Sequence, residues 1–185
     1  VLLLQDRPHR RVLLLGLGGG SVAHAVRGLD PQAELVGVEW DEAVQGLARR
    51  HFGIGDLGME IVVDDALRYL RRERRRFDLI VEDLFIGNAK RVRKPAGLLE
   101  EGYPLMARRL RSGGLLSANT IEETADVTHA MRRLGGQVLS LHIRGHWNRI
   151  LVSGDRLPTA RGLRDRLRAH SATSALLPAL GIRRS

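Results

Sequence analysis

The stretch RVLLLGLGGGSVAHAVRGL, residues 11–29, decides the fold class. Arg11–Leu15 is a continuous aliphatic run, the pattern of a strand buried on both faces, and it stops at a glycine cluster. After Ser21, which can cap a helix, Val22, Ala25, Val26 and Leu29 fall at i, i+3, i+4 and i+7. Strand, glycine turn and helix therefore follow directly.

The same alternation continues along the chain and implies a parallel α/β sheet. Glu34–Glu39 reads as a second strand, with a helix through Val44, Leu47 and Ala48 after Asp41. Glu60–Val63 reads as a third strand, followed by a helix from Ala66 through Leu70, and Phe77–Val81 reads as a fourth strand. Ile86–Pro95, with a Gly, a Pro and four cations, is expected to be a loop, and Leu98–Leu110 a helix. Leu115–Ala118 begins a fifth strand and Thr120–Leu134 is expected to be helical. Gln137–Ile143 and Arg149–Ser153 form an expected antiparallel hairpin. The tail from Thr159 reads as helical and Arg-rich. The chain thus divides into a domain over 1–154 and a helical extension over 155–185.

Composition narrows the function. The length of 185 residues suits one domain, and 43% apolar residues suffice for an ordinary core. The absence of cysteine excludes disulfide scaffolds, thiolate metal sites and thiol nucleophiles. His142 and His146 have no nearby ligand set, so no metal site is expected. The most apolar stretch, Val12 to Val26, is broken by glycines and His24, so no membrane span is expected. The opening VLLLQDRPHR has no basic region ahead of an apolar one, which implies no secretory signal and a cytoplasmic location. A start at Val1 rather than Met is what a trimmed chain would show. The net charge of +9 permits nucleic-acid binding, yet 4% aromatics leaves few stacking platforms, so a small-molecule acceptor is favoured. A homodimer is compatible with this reading.

In open parallel sheets, ligands bind beyond the carboxyl ends of the strands. Gly16-Leu17-Gly18-Gly19-Gly20 lets backbone approach a ligand and offers N–H groups at a helix start. Glu39 ends the second strand 23 residues after Gly16, where an acid can accept both hydroxyl protons of a ribose. Its plainer reading is an exposed carboxylate paired with one of many arginines. Trp40 can cover an adenine face or belong to the core. Asp65, with Ala66 beside it, can receive an adenine amino group or simply cap the next helix. Asp83, at the end of the fourth strand, can serve as a general base or salt-bridge the cations that follow it. Glu82 is expected on the opposite sheet face as a structural residue.

Taken in order, RVLLLGLGGGSVAHAV, LVGVEWDEAV, VVDDALRYL, FDLIVEDLFIG and LRSGGLLSAN resemble the class I S-adenosylmethionine-dependent methyltransferases, and within them the spermidine synthase (polyamine aminopropyltransferase) branch. The resemblance runs from Arg11 to Gly154. It implies a Rossmann-like, mostly parallel seven-stranded sheet with an antiparallel last strand and helices on both faces. It maps Gly16, Gly18 and Gly20 to the glycine loop, Glu39 to the ribose acid, Asp65 and Ala66 to the adenine site and Asp83 to a catalytic acid. The implied cofactor is S-adenosylmethionine or decarboxylated S-adenosylmethionine.

The departures are specific. Gly19 stands where aminopropyltransferases have an Asp in their glycine loop, and Asp83-Leu84-Phe85-Ile86 replaces their Asp-Ser-Ser-Asp, so the second acid becomes Ile86. At most ten residues precede the first strand, so the small N-terminal β domain is not expected. Lys90, Arg91, Arg93 and Lys94 follow the fourth strand on the ligand side, which favours methyl transfer to a neutral or anionic acceptor over aminopropyl transfer to a polyamine. Glu100 or Glu101 can offset the missing acid by folding back. An NAD-binding oxidoreductase and a noncatalytic nucleoside-binding module are the other classes, the former weakened by Ser21 where the dinucleotide fingerprint has Gly or Ala.

Overall fold

The computed structural model describes residue 4, residues 10–88 and residues 91–184. The chain runs β1 (Arg11–Leu15), α1 (Ser21–Leu29), β2 (Glu34–Glu39), α2 (Glu42–Phe52), β3 (Glu60–Val63), α3 (Ala66–Arg72) and β4 (Phe77–Glu82). It continues with β5 (Ile86–Asn88), β6 (Arg91–Arg93), α4 (Tyr103–Arg109), β7 (Leu110–Thr120), α5 (Thr124–Arg133), β8 (Gln137–Ile143) and β9 (Arg149–Gly154). It closes with α6 (Ala160–Ala169), α7 (Ser171–Ser174) and β10 (Leu180–Arg184).

The main sheet has the order β3-β2-β1-β4-β7-β9-β8-β10. β3, β2, β1, β4 and β7 are mutually parallel, and β9 is antiparallel to both of its neighbours. Strand order reverses between β1 and β4, which opens a crevice at their carboxyl ends.

Alternation along β1 explains the two layers. Leu13 and Leu15 join Leu70 of α3, Met106 of α4 and Met131 of α5 on one face, while Val12 and Leu14 join Val26 of α1, Ala48 of α2 and Leu163 of α6 on the other. Burial of each such leucine contributes about 1.5–3 kcal/mol.

Several elements differ from the sequence reading. The cap of α1 is Gly20, in left-handed conformation, not Ser21. Ile86–Pro95 is not simply a loop, because β5 and β6 pair in a short antiparallel hairpin. The helix expected over Leu98–Leu110 opens as a π-turn at Leu98–Gly102 and ends at Arg109, where Leu110 already begins β7. The helix expected over Thr120–Leu134 begins at Thr124, because Thr120 still pairs with Arg149 in the sheet. The tail is helical only in part: β10 pairs antiparallel with β8 and adds an eighth strand. Gly181 lies there against the ring of His142, where a Cβ would overlap it. No helix among the described residues is long and apolar enough to cross a membrane.

In the basic run 71–76 three arginines are paired with acids on neighbouring elements. Arg71 pairs with Glu101 at 2.6 Å, Arg72 with Asp64 at 2.5 Å and Arg75 with Glu60 at 2.6 Å. Arg75 also clasps Glu73 at 2.7 Å, and the buried Glu73 carboxylate accepts the Tyr69 hydroxyl and the backbone N–H of Arg74 and of Arg75. The Glu73–Arg75–Glu60 contacts bind the chain after α3 to the start of β3, at the edge opposite the crevice.

Burial alone would raise the Glu73 carboxyl, but hydrogen bonds from Arg75 and Tyr69 lower it from 4.5 to about 2. A depressed folded pKa gives stability that is present above the unfolded value and lost as pH falls through the folded one. The melting temperature is therefore expected to fall between pH 4.5 and 2, and more shallowly in Glu73→Gln. Thermal scans across that window check it, and identical slopes in both proteins would contradict it.

Candidate functional site

The crevice between β1 and β4 is a cleft of about 550 Å³. Its floor is the turn after β1. Gly16 has φ +83°, and a Cβ there would lie 2.4 Å from the carbonyl oxygen of Asp83. Only glycine allows this approach. The Gly16 N–H donates to the Val38 carbonyl at 3.0 Å and the Asp83 N–H to the Leu15 carbonyl at 2.8 Å, so three strand ends are tied together. Gly20, at φ +82°, is packed against Ile54 and does not line the cleft, so its place is structural.

Glu39 ends β2 and is 6% exposed. It has no arginine partner among the described residues. Its carboxylate accepts the Gly18 N–H at 2.9 Å and the Asp41 N–H at 3.2 Å. An ionised carboxylate offers about four lone-pair sites, so each oxygen retains capacity for another donor. The Gly18 N–H is consequently spent on Glu39 rather than left pointing at a ligand. The loop and the strand-end acid hold each other in place.

Trp40 is 68% exposed and lines the cleft, which excludes its core reading. Asp65 caps α3, its Oδ1 accepting the Arg68 N–H at 2.9 Å, and it also lines the cleft beside Ala66. Its neighbour Asp64 is buried and engaged with Arg68 and Arg72.

Asp83 lines the far end of the cleft. Lys94, the loop cation held by Glu82 and the Asn119 carbonyl, does not bind it. Among the described residues its partner is Asn119, whose Nδ2 donates to Asp83 Oδ1 at 2.8 Å. Asn119 is itself oriented by Asn148, whose Nδ2 donates to Asn119 Oδ1 at 3.0 Å. Leu84, Phe85, Ile86, Pro95 and Leu98 complete that end as an apolar wall.

Lys94 was expected at the surface facing an acceptor, yet it is 8% exposed and donates to Glu82 Oε1 at 2.7 Å. Glu82 is fully buried, as a structural residue should be, and also accepts the Tyr103 hydroxyl at 2.9 Å and the Leu84 N–H at 2.7 Å. Burial pushes the Glu82 carboxyl up, while Lys94, the Leu84 N–H and Tyr103 oppose that rise. Burial and the Glu82 carboxylate push the Tyr103 hydroxyl up as well, which keeps it a donor. Arg93 is exposed, whereas Lys90 and the Arg91 side chain lie outside the described residues. Glu101 does not fold back to the acceptor end, because Arg71 holds it.

Sequence reasoning thus brought Gly16, Gly18, Glu39, Trp40, Asp65, Ala66 and Asp83 to one cleft. It missed Asn119, Asn148 and the Lys94–Glu82 pair. The sign of Lys94 in the sequence is that it is one of two lysines among thirty basic residues.

No family model matches the chain. It is 29% identical over 187 residues to the polyamine aminopropyltransferase of Vibrio vulnificus, an alignment covering 96% of this chain and 60% of that protein. The solved structure of human methyltransferase-like protein 13 in complex with SAH superposes with TM-score 0.74 at 21% identity, covering 95% of this chain and 85% of that one. The fold is that of the class I methyltransferases. A probable spermidine synthase from Corynebacterium glutamicum shares the fold with TM-score 0.72 at 22% identity, covering 94% of this chain and 66% of that one. The sequence therefore resembles the aminopropyltransferase branch of this fold, and the chain spans 60% of the length of its Vibrio relative.

Because the site rests on the Gly16–Asp83 approach, Gly16→Ala is expected to destabilise the protein severely. Left-handed strain of about 1–2 kcal/mol and overlap of about 1–3 kcal/mol add to about 2–5 kcal/mol. Urea denaturation measures this, and a loss below about 1 kcal/mol would show that the turn does not depend on that contact.

Proposed function

We propose that this chain is an S-adenosylmethionine-type transferase. It binds S-adenosylmethionine or its decarboxylated form across the carboxyl ends of β3, β2, β1 and β4, and transfers a group to a small acceptor over Asp83. The carrying observation is the order of groups that the strand order β3-β2-β1-β4 sets along one cleft: Asp65 and Ala66, then Glu39 and Trp40, then Gly16, then Asp83. That order matches an adenine, a ribose and a reacting centre in turn.

In this reading the free lone pairs of Glu39 accept the ribose hydroxyls, Asp65 accepts the adenine amino group and Trp40 covers the base. When bound, the nucleoside supplies a sulfonium whose sulfur leaves as a neutral thioether. The chain mainly positions the reactants. Asp83 keeps one oxygen clear of Asn119, and that oxygen accepts the proton released by the attacking nucleophile. Leu84, Phe85 and Ile86 keep water from the acceptor end.

Methyl transfer to a neutral or anionic acceptor remains the favoured chemistry, on a changed basis. The four-cation count no longer carries it, since Lys94 is neutralised by Glu82. What supports it is the apolar wall, with Ile86 where an acid would be needed, and Gly19 in place of the loop Asp. A polyamine bears a cation at each end, and buried cations must be paired. Among the described residues Asp83 is the acid that stands with this apolar wall, so a neutral acceptor fits best. Aminopropyl transfer is the second reading, favoured by the Vibrio relative.

Calorimetry with S-adenosylmethionine, decarboxylated S-adenosylmethionine, S-adenosylhomocysteine, methylthioadenosine and NAD tests the nucleoside reading. An S-adenosyl nucleoside is expected to bind and NAD not to. In Glu39→Ala the loss of charge-assisted hydrogen bonds worth about 1.5–3 kcal/mol should weaken binding roughly ten- to hundredfold. An unchanged Kd would remove Glu39 from the site. Once an acceptor is in hand, Asp83→Asn should bind nucleoside nearly normally and turn over about 10²–10⁴-fold more slowly. Methylthioadenosine release from decarboxylated S-adenosylmethionine with putrescine should be slow, and efficient release would reverse the preference for methyl transfer.

A further inference from the structure

The buried lysine behind Asp83 has a use that the reaction scheme leaves open. Lys94 is 5% exposed in its side chain and Glu82 is 0% exposed. The ammonium has two hydrogen-bond acceptors and an aromatic face around it. It donates to Glu82 Oε1 at 2.7 Å and to the Asn119 carbonyl at 2.6 Å, and it lies 3.9 Å from the centre of the Phe85 ring. A guanidinium, with five donors in a planar fork, would not be satisfied there. That accounts for a lysine at this position in a chain whose cations are otherwise nearly all arginine.

Each partner belongs to a different part of the acceptor end. Glu82 and Leu84 flank Asp83 in the chain, and the Leu84 N–H binds the same Glu82 oxygen as Lys94. Phe85 lines the cleft. Asn119, whose carbonyl Lys94 holds, donates its side-chain amide to Asp83. Lys94 itself joins the β5–β6 hairpin to Pro95, another wall residue.

We propose that Lys94 is a positioning residue: it clamps the hairpin and the segment through Leu98 to the sheet and, through Asn119, sets the Asp83 carboxylate, so that the acceptor end stands preformed before any ligand binds. The relevance to catalysis rests on the transferase reading, but the clamp itself does not. A buried ion pair adds little stability over a neutral pair of similar shape, whereas removing one partner strands a charge. Its contribution is therefore geometric.

Hydrogen–deuterium exchange on the whole chain, with and without S-adenosylhomocysteine, tests the clamp. In the unsubstituted protein residues 91–98 should be protected without ligand and change little on adding it. Rapid exchange that slows only with ligand would overturn a preformed wall. Lys94→Met strands Glu82 and is expected to melt early, so the informative variant is Glu82→Gln/Lys94→Met, which keeps an acceptor for Tyr103. It should fold, exchange about tenfold faster over 91–98 and leave β1 and β2 protected. Its affinity for S-adenosylhomocysteine should stay within about threefold, because Glu39 and Asp65 stand at the ends of β2 and β3 and share no hydrogen-bond partner with Glu82 or Lys94 among the described residues. The Asp83 carboxyl carbon resonance, read by NMR at one fixed pH, should move in this variant and in Asn119→Ala, because the Asn119 amide that donates to Asp83 Oδ1 is displaced or lost. Unchanged exchange together with an unmoved Asp83 resonance would show Lys94 to be a stability element only. If S-adenosylhomocysteine does not bind the unsubstituted protein, the nucleoside reading fails while the exchange and the Asp83 resonance still decide the clamp.

Discussion

Everything at the functional edge depends on the close approach of the Gly16 backbone to the Asp83 carbonyl. The φ of +83° at Gly16 turns the chain back over the end of β1, and the missing Cβ lets it lie against β4. That placement brings Gly18 to Glu39 and leaves Asp83 lining the cleft beyond β1. Hydrophobic burial makes the sheet, but this contact determines what the sheet presents.

The two edges of the sheet use charge differently. At the edge where β2 and β3 begin, Arg11, Arg75 and their acids Glu34, Glu60 and Glu73 neutralise one another. These ion pairs hold strand and helix ends together. At the carboxyl edge, Glu39, Asp65 and Asp83 are bound mainly by N–H donors from the backbone or an amide. Donors of this kind leave lone pairs on the carboxylates for hydroxyl and amino groups.

Much of this was legible in the sequence because it is local. The run Arg11–Leu15, its glycines and the helix period after them specify a buried strand and its turn without reference to the rest of the chain. Glu39 and Asp83 follow from being strand-end acids in a parallel sheet. What was hidden depends on distant partners. Ile86–Asn88 and Arg91–Arg93 are three residues each, too short for a strand period to show, so nothing local marks them as strands. Leu180–Arg184 ends in two arginines and becomes a strand only because β8 offers an edge. Lys94 reads as a loop cation until Glu82, twelve residues earlier, is found buried beneath it. Asn119 lies 36 residues from Asp83, with no pattern linking them.

The central claim is that this cleft receives an S-adenosyl nucleoside with its ribose on Glu39 and its sulfur toward Asp83. A crystal structure of the protein with S-adenosylhomocysteine tests it most directly. The account predicts both ribose hydroxyls on the Glu39 carboxylate, the adenine beside Asp65 and Trp40, and the thioether at the Asp83 end. A nucleoside bound elsewhere, or bound in this cleft without contact to Glu39, would contradict it.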